Sequence, residues 1–98
     1  MPILKSSFES NFGKYSTELP APIREKAERV FKQFREARNR TELPRGMDYK
    51  PVENNPNQRS IRIDGFYRAL GRKIDDRVEW YWIGDHNEYM RRLKDLKG

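Results

Sequence analysis

The chain has 98 residues, of which 21 are Lys or Arg and 15 are Asp or Glu, for a formal net charge of +6. This length predicts a single domain over residues 1–98, and the basic balance favours a polyanionic partner such as nucleic acid, although ordinary solubility charge explains it equally well. The absence of cysteine excludes disulfides and thiolate metal sites, and one histidine excludes a histidine cluster, so no metal and no cofactor are expected.

No membrane association is expected from the sequence, because no apolar run approaches the ~20 residues that a membrane span needs. The stretch from Met1 to Asn11 also lacks the basic and then apolar layout of a signal peptide. A cytoplasmic location is therefore the default expectation.

The first half of the chain predicts two helices. Residues 6–19 predict the first, with apolar side chains at helical spacing: Phe8, Phe12, Tyr15 and Leu19. Ser6 with Glu9 fits a capping box at its start. Residues 22–38 predict the second, an amphipathic helix whose first turn suits Pro22. The link between them is short, so an antiparallel helical hairpin is expected.

The second half of the chain predicts antiparallel strands, since its apolar and polar residues alternate. The predicted strands are 47–50, 60–64, 66–70 and 78–83, separated by loops at 51–58 and 72–76 and by a turn at Gly65. Residues 86–96 predict a short terminal helix.

The last predicted strand is apolar on both faces, which indicates a central position in the sheet. Strict alternation places Val78, Trp80 and Trp82 on one face and Tyr81 and Ile83 on the other. The two tryptophans are then core residues that meet the helices, rather than a stacking platform.

This order of elements predicts an α+β fold: an N-terminal helical hairpin packed on a small antiparallel β-sheet, with a short C-terminal helix. The helices cover one face of the sheet and leave the other free. The free face is expected to carry Lys50 and at least some of the strand arginines.

Three segments carry a resemblance to a known family. They are Ser60-Ile61-Arg62-Ile63, Tyr67-Arg68-Ala69-Leu70-Gly71, and the run from Trp80 to Tyr89 with the sequence WYWIGDHNEY. Together they resemble the RelE/ParE toxin superfamily of bacterial toxin–antitoxin systems, and the "WYWIGDHNEY" run is similar to the branch with a histidine near the C-terminus. The resemblance covers roughly residues 5–93.

The resemblance implies the toxin of a type II toxin–antitoxin system, an endoribonuclease that cleaves mRNA, usually in the ribosomal A site. The implied partners are a cognate antitoxin, mRNA and the ribosome. Lys50, Arg68, His86 and Tyr89 fall on the family's functional positions. The match of Arg62 to such a position is weaker. The related ParE branch shares the fold but poisons DNA gyrase, so a gyrase toxin is one alternative and a non-catalytic nucleic-acid-binding module is another.

These residue types can perform metal-free RNA cleavage, in which the 2′-OH attacks the adjacent phosphate. Histidine is the residue type used most often for proton transfer, so His86 is the candidate acid or base. Lys50, Arg62 and Arg68 can neutralise the phosphate, and Tyr89 can stack on a base or orient the phosphate.

Each residue also has a structural alternative. His86 can be an ordinary first residue of a helix, Tyr89 can pack under the terminal helix, and Lys50 can be a solvated strand lysine. Arg62 and Arg68 share a sheet face only if the hairpin loop centred on Gly65 contains an odd number of residues.

Overall fold

The computed structural model describes residues 5–38 and 42–97, which form a five-stranded sheet with helices on both faces. The elements in chain order are β1 Lys5–Phe8, α1 Phe12–Thr17, α2 Ala21–Glu36, β2 Lys50–Val52, β3 Asn55–Arg62, β4 Tyr67–Ile74, β5 Arg77–Asp85 and α3 His86–Lys97. A 3₁₀ turn at Arg45–Met47 precedes β2. The predicted α+β fold is confirmed. None of the helices in these two ranges has the length and apolar character that crossing a bilayer requires.

The sheet has the strand order β1-β5-β4-β3-β2, so the last strand is internal, as predicted. Strands β2 to β5 form an antiparallel meander, and β1 pairs with β5 in parallel. The helix predicted over residues 6–19 is present only from Phe12 to Thr17. Its predicted start was wrong, because Lys5–Phe8 pairs with β5 as a strand instead. Ser6 Oγ accepts a hydrogen bond from Trp80 Nε1 at 3.1 Å instead of capping a helix.

Helices α1 and α2 bury an aromatic core against one face of the sheet. The predicted second helix is confirmed, with bounds at Ala21 and Glu36 and a proline in its first turn. The rings of Phe31 and Phe34 lie 5.3 and 5.4 Å from that of Trp80. The buried core on this face is Phe12, Leu19, Ala27, Phe31, Phe34, Met47, Ile61, Ile63, Ala69, Val78, Trp80 and Ile83.

A β-bulge in β5 corrects the predicted faces of its aromatic residues. Leu70 pairs with Trp82 and the next residue, Gly71, pairs with Trp80, so Tyr81 is an extra residue without a ladder partner. Beyond the bulge the alternation is reversed: Trp82 faces away from α1 and α2, in a second cluster with Val52, Leu70, Tyr89 and Leu93. Both tryptophans are core residues, as predicted, but Trp80 lies in the cluster with Phe31 and Phe34, whereas Trp82 lies in the second cluster.

The second cluster forms because α3 packs on the sheet face that the sequence predicted to be free. Helix α3 contacts β2, β3, β4 and β5, and Asn55 Nδ2 donates a hydrogen bond to the carbonyl of Leu96 at 3.2 Å. The apolar side chains of α3 that drive this packing are Tyr89, Leu93 and Leu96.

Two predicted loops are largely strand. Pro51 lies in edge strand β2, where its missing N–H costs no ladder bond to a further strand, and the turn is confined to Glu53 and Asn54. Strand β4 continues to Ile74. Asn54 and Asp75 adopt positive φ values of 63° and 53°, which lets each hairpin turn tightly.

Candidate active site

A row of polar side chains crosses the α3 face of the sheet. Lys50 pairs with Ser60, and Arg62 pairs with Arg68, and residues directly opposite in an antiparallel ladder point to the same face. The loop between the two arginines is Ile63–Tyr67, an odd loop centred on Gly65. The register therefore places Arg62 and Arg68 side by side.

The two arginines have different surroundings. Arg62 is exposed, whereas Arg68 is only 9% exposed. Arg68 Nη1 donates to the carbonyl oxygens of Asp64 at 2.7 Å and Tyr67 at 3.0 Å. These bonds hold the Arg68 guanidinium against the loop of the β3–β4 hairpin, whereas the neighbouring Arg62 is exposed to solvent.

His86 is the first residue of α3 and directly follows the last strand. Asp85 caps this helix, because its Oδ1 accepts a hydrogen bond from the Glu88 N–H at 2.9 Å. The cap fixes the turn from β5 into α3 and thereby the direction in which His86 leaves the backbone. The His86 ring is half-buried, and its centroid lies 6.1 Å from that of Tyr89.

Tyr89 points into the protein beneath α3. It is 6% exposed, and its hydroxyl is hydrogen-bonded to Ser60 Oγ at 2.8 Å, with Ser60 itself 2% exposed. Tyr89 and Ser60 line a cleft of about 270 Å³ together with Lys50. Lys50 is exposed on the rim of this cleft and forms an ion pair with Asp48 at 3.2 Å.

The structure thus brings the sequence-predicted residues to one face, in two groups. Arg62 and Arg68 form one, and Lys50 and Tyr89 line the cleft, with His86 beside the tyrosine ring. Sequence reasoning missed the residues that support these groups: Ser60, Asp64 and Asp85. The sequence could have indicated Ser60, because residues 60 and 62 of an alternating strand lie on the same sheet face.

Several solved structures with the same architecture are complexes of a toxin with its antitoxin. The chain is similar to the RelB–RelE antitoxin–toxin complex from Methanococcus jannaschii, with a TM-score of 0.67 and 20% identity over 88% of this chain and 96% of that one. It is also similar to YafQ from E. coli, with a TM-score of 0.66 and 13% identity over 88% and 97% of the two chains. The archaeal RelE–RelB complex from Pyrococcus horikoshii has a TM-score of 0.62 and 11% identity, covering 85% and 94%.

These similarities define the class of protein by its fold: a RelE-type sheet between N-terminal helices and a C-terminal helix. The family model of the ParE-like toxin domain matches residues 21–91, and the chain belongs to this family. The predicted membership of the RelE/ParE superfamily is confirmed. No curated protein sequence matches the chain significantly.

Proposed function

We propose that the chain is the toxin of a type II toxin–antitoxin system and that it cleaves mRNA, with the ribosomal A site in the cytoplasm as its place of action. One observation carries the proposal: two arginines lie side by side on the sheet face where the only histidine of the chain begins α3. A phosphodiester needs cations at its oxygens and a proton-transfer group at its edge, and this face offers both.

In the proposed reaction the 2′-oxygen attacks the adjacent phosphorus, the bond to the 5′-oxygen breaks, and a 2′,3′-cyclic phosphate and a 5′-hydroxyl result. His86 takes the proton from the 2′-OH or gives one to the departing 5′-oxygen, and water makes the other transfer. Arg68 holds a fixed charge against the phosphorane and Arg62 supplies a second one. Lys50 attracts the RNA phosphate backbone to the rim of the cleft. Tyr89 sets the position of α3 and His86 through its hydrogen bond to Ser60.

The proposal predicts arrest of protein synthesis when the chain is produced without its antitoxin. Radiolabelled amino-acid incorporation should fall within minutes of induction, and primer extension should map new mRNA 5′ ends on ribosome-bound messages. Cells that produce an Arg62→Ala, Arg68→Ala double variant should grow normally. The far-ultraviolet circular dichroism of this variant should match that of the wild type. Continued protein synthesis with intact mRNA during growth arrest would contradict the proposal.

A gyrase-directed toxin is the second candidate, because the family model that matches the chain is described as ParE-like. Such a toxin would block replication and induce the DNA-damage response while translation continues. Supercoiling by purified gyrase separates the two: it should be unaffected by the chain if mRNA is the target. A non-catalytic nucleic-acid-binding module is the third candidate, and cleavage of mRNA on purified ribosomes would exclude it.

We further propose that the partner antitoxin covers the α3 face with an acidic segment. Solved relatives are complexes of a toxin with its antitoxin, RelB in one case and DinJ in another. The face carries Lys50, Arg62 and Arg68, and an acidic partner would be attracted to these charges. Salt should slow association of the two proteins, and Arg62→Ala should reduce this salt dependence.

A further inference from the structure

One exposed aromatic side chain lies at the tip of the hairpin that carries the arginine pair. Phe66 is 47% exposed, next to Tyr67, the first residue of β4. Tyr67 pairs with Asp85, so Phe66 lies one position beyond the end of the ladder, beside the start of α3 at His86. The hairpin of the candidate site therefore carries an apolar ring that is about half exposed.

Asp64 fixes the backbone that carries the Phe66 ring. The Phe66 N–H donates to Asp64 Oδ1 at 2.9 Å, and the same carboxylate oxygen accepts from the Tyr67 N–H at 3.0 Å. The Phe66 ring makes an edge-to-face contact with the Tyr67 ring at 5.5 Å. The backbone of Phe66 and Tyr67 is therefore fixed by Asp64, and 47% of Phe66 remains exposed.

Arg68 is hydrogen-bonded to the residues on either side of Phe66. Its Nη1 bonds the carbonyl oxygens of Asp64 and Tyr67, the residues two before and one after Phe66. The Arg68 guanidinium is thus bonded to the loop that carries the Phe66 ring. A cation and an aromatic ring on one hairpin suit a nucleotide, because its phosphate is bound by a cation and its base by an aromatic ring.

We propose that Phe66 is a base-stacking site for single-stranded RNA, which receives a nucleobase next to the phosphate held by Arg62 and Arg68. This inference rests on the proposed function for its substrate class, RNA, but not on cleavage. Stacking on an aromatic side chain accepts any base, and a purine buries more apolar area against the ring than a pyrimidine does. Phe66 therefore contributes affinity and a purine preference at one nucleotide of the substrate.

The test uses 2′-O-methyl RNA hexamers, A6 and U6, because they have no free 2′-OH and resist cleavage. Fluorescence anisotropy of labelled hexamers gives the dissociation constants for the full-length chain. Phe66→Ala should weaken A6 binding roughly 5- to 150-fold, the range for loss of one stacked base. It should bring the A6 and U6 affinities together and leave the salt dependence unchanged, while Phe66→Trp should retain A6 binding.

Phe8 offers a matched control. It is 46% exposed and makes an edge-to-face contact with Phe31 at 5.2 Å, but it lies on β1 at the far edge of the sheet. Phe8→Ala should change A6 binding less than twofold, with melting temperatures recorded for every variant. Arg62→Ala should weaken both hexamers alike and lower the salt dependence by about one released ion.

Three results would overturn the stacking site: Phe66→Ala binding A6 as the wild type does, Phe66→Leu restoring full binding, or Phe8→Ala losing as much as Phe66→Ala. Unchanged RNA binding with lost antitoxin neutralisation in Phe66→Ala would also overturn it and assign the ring to a protein contact. If the wild type cleaves no RNA but Phe66→Ala loses A6 binding, the stacking site stands and the proposed cleavage fails. If the wild type cleaves RNA and Phe66→Ala binds A6 normally, the proposed cleavage stands and the stacking site fails.

Discussion

The hydrogen bond between Ser60 and Tyr89 connects β3 to α3 and is the best point at which to test how α3 is anchored. The two side chains are 2% and 6% exposed, and their oxygens are 2.8 Å apart. Removing one oxygen leaves the other buried without this partner, which costs about 1–3 kcal/mol, whereas removing both is close to neutral. Tyr89→Phe and Ser60→Ala should therefore each destabilise the fold by about 1–3 kcal/mol.

The measurement is a double-mutant cycle by urea and thermal unfolding. In a domain of this size 1 kcal/mol corresponds to about 4–8 °C in melting temperature, so each single variant is readily resolved. The double variant should be more stable than the sum of the two losses predicts, with a coupling energy of about 0.5–3 kcal/mol. Tyr67→Phe is the control: its hydroxyl has no hydrogen-bonding partner among residues 5–38 and 42–97, and its loss should change stability by less than ~0.5 kcal/mol.

The same variants separate the two roles of Tyr89 in the proposed reaction. If Tyr89 acts by positioning α3, Ser60→Ala and Tyr89→Phe should reduce mRNA cleavage to a similar extent. Cleavage that falls ten times further in Tyr89→Phe than in Ser60→Ala would show that the tyrosine hydroxyl contacts the substrate. Strictly additive stability losses would refute the anchoring argument itself.

Three further predictions concern other parts of the chain. His86→Ala and His86→Gln should both lower cleavage about 10²- to 10⁴-fold, measured by single-turnover assays on ribosome-bound mRNA, with stability changed by less than ~0.5 kcal/mol; near-full cleavage would make the histidine structural. Burial raises the pKa of Tyr81, although the charges of Arg72 and Arg92 oppose this rise. The stability contributed by the neutral form is therefore complete below the unfolded-state pKa and is lost as the pH rises above about 10. In Tyr81→Phe the free energy of unfolding in urea should decline less between pH 9 and pH 11 than in the wild type. Gly71→Ala should cost about 1–3 kcal/mol in the same assay, because an added Cβ would lie 2.7 Å from atoms of Trp80 and Val78; a neutral result would contradict the close packing at the bulge.

The sequence predicted best those elements whose burial follows a regular period. Helix α2 and the internal position of β5 depend on such periods, and both are confirmed. Strand β1 was missed because an edge strand of four residues, paired only with β5, needs no alternating pattern of its own. The packing of α3 was missed because its apolar residues have no local sign of which sheet face they cover.

The candidate site was predicted as a set of residue types, and the structure supplies their arrangement. The motif residues identified His86, Arg68 and Lys50, but the pairing of Arg62 with Arg68 depended on a loop length that composition does not determine. Supporting residues were harder to find. Asp64 and Asp85 act through hydrogen bonds to backbone N–H groups, and only the folded turns show which N–H groups lie within reach.

The bulge at Tyr81 determines which face of the sheet holds the candidate site. A strand alternates its side chains, so without an extra residue Trp82 and Gly84 would share the α1 and α2 face with Trp80. The bulge reverses this order, and Gly84 instead pairs with Arg68 on the α3 face. Trp82 can then form the floor under α3 as the helix turns back directly after Asp85. One inserted residue in β5 therefore places His86 on the face that already carries Arg62 and Arg68, and Gly71 permits the insertion by leaving room for Trp80 and Val78.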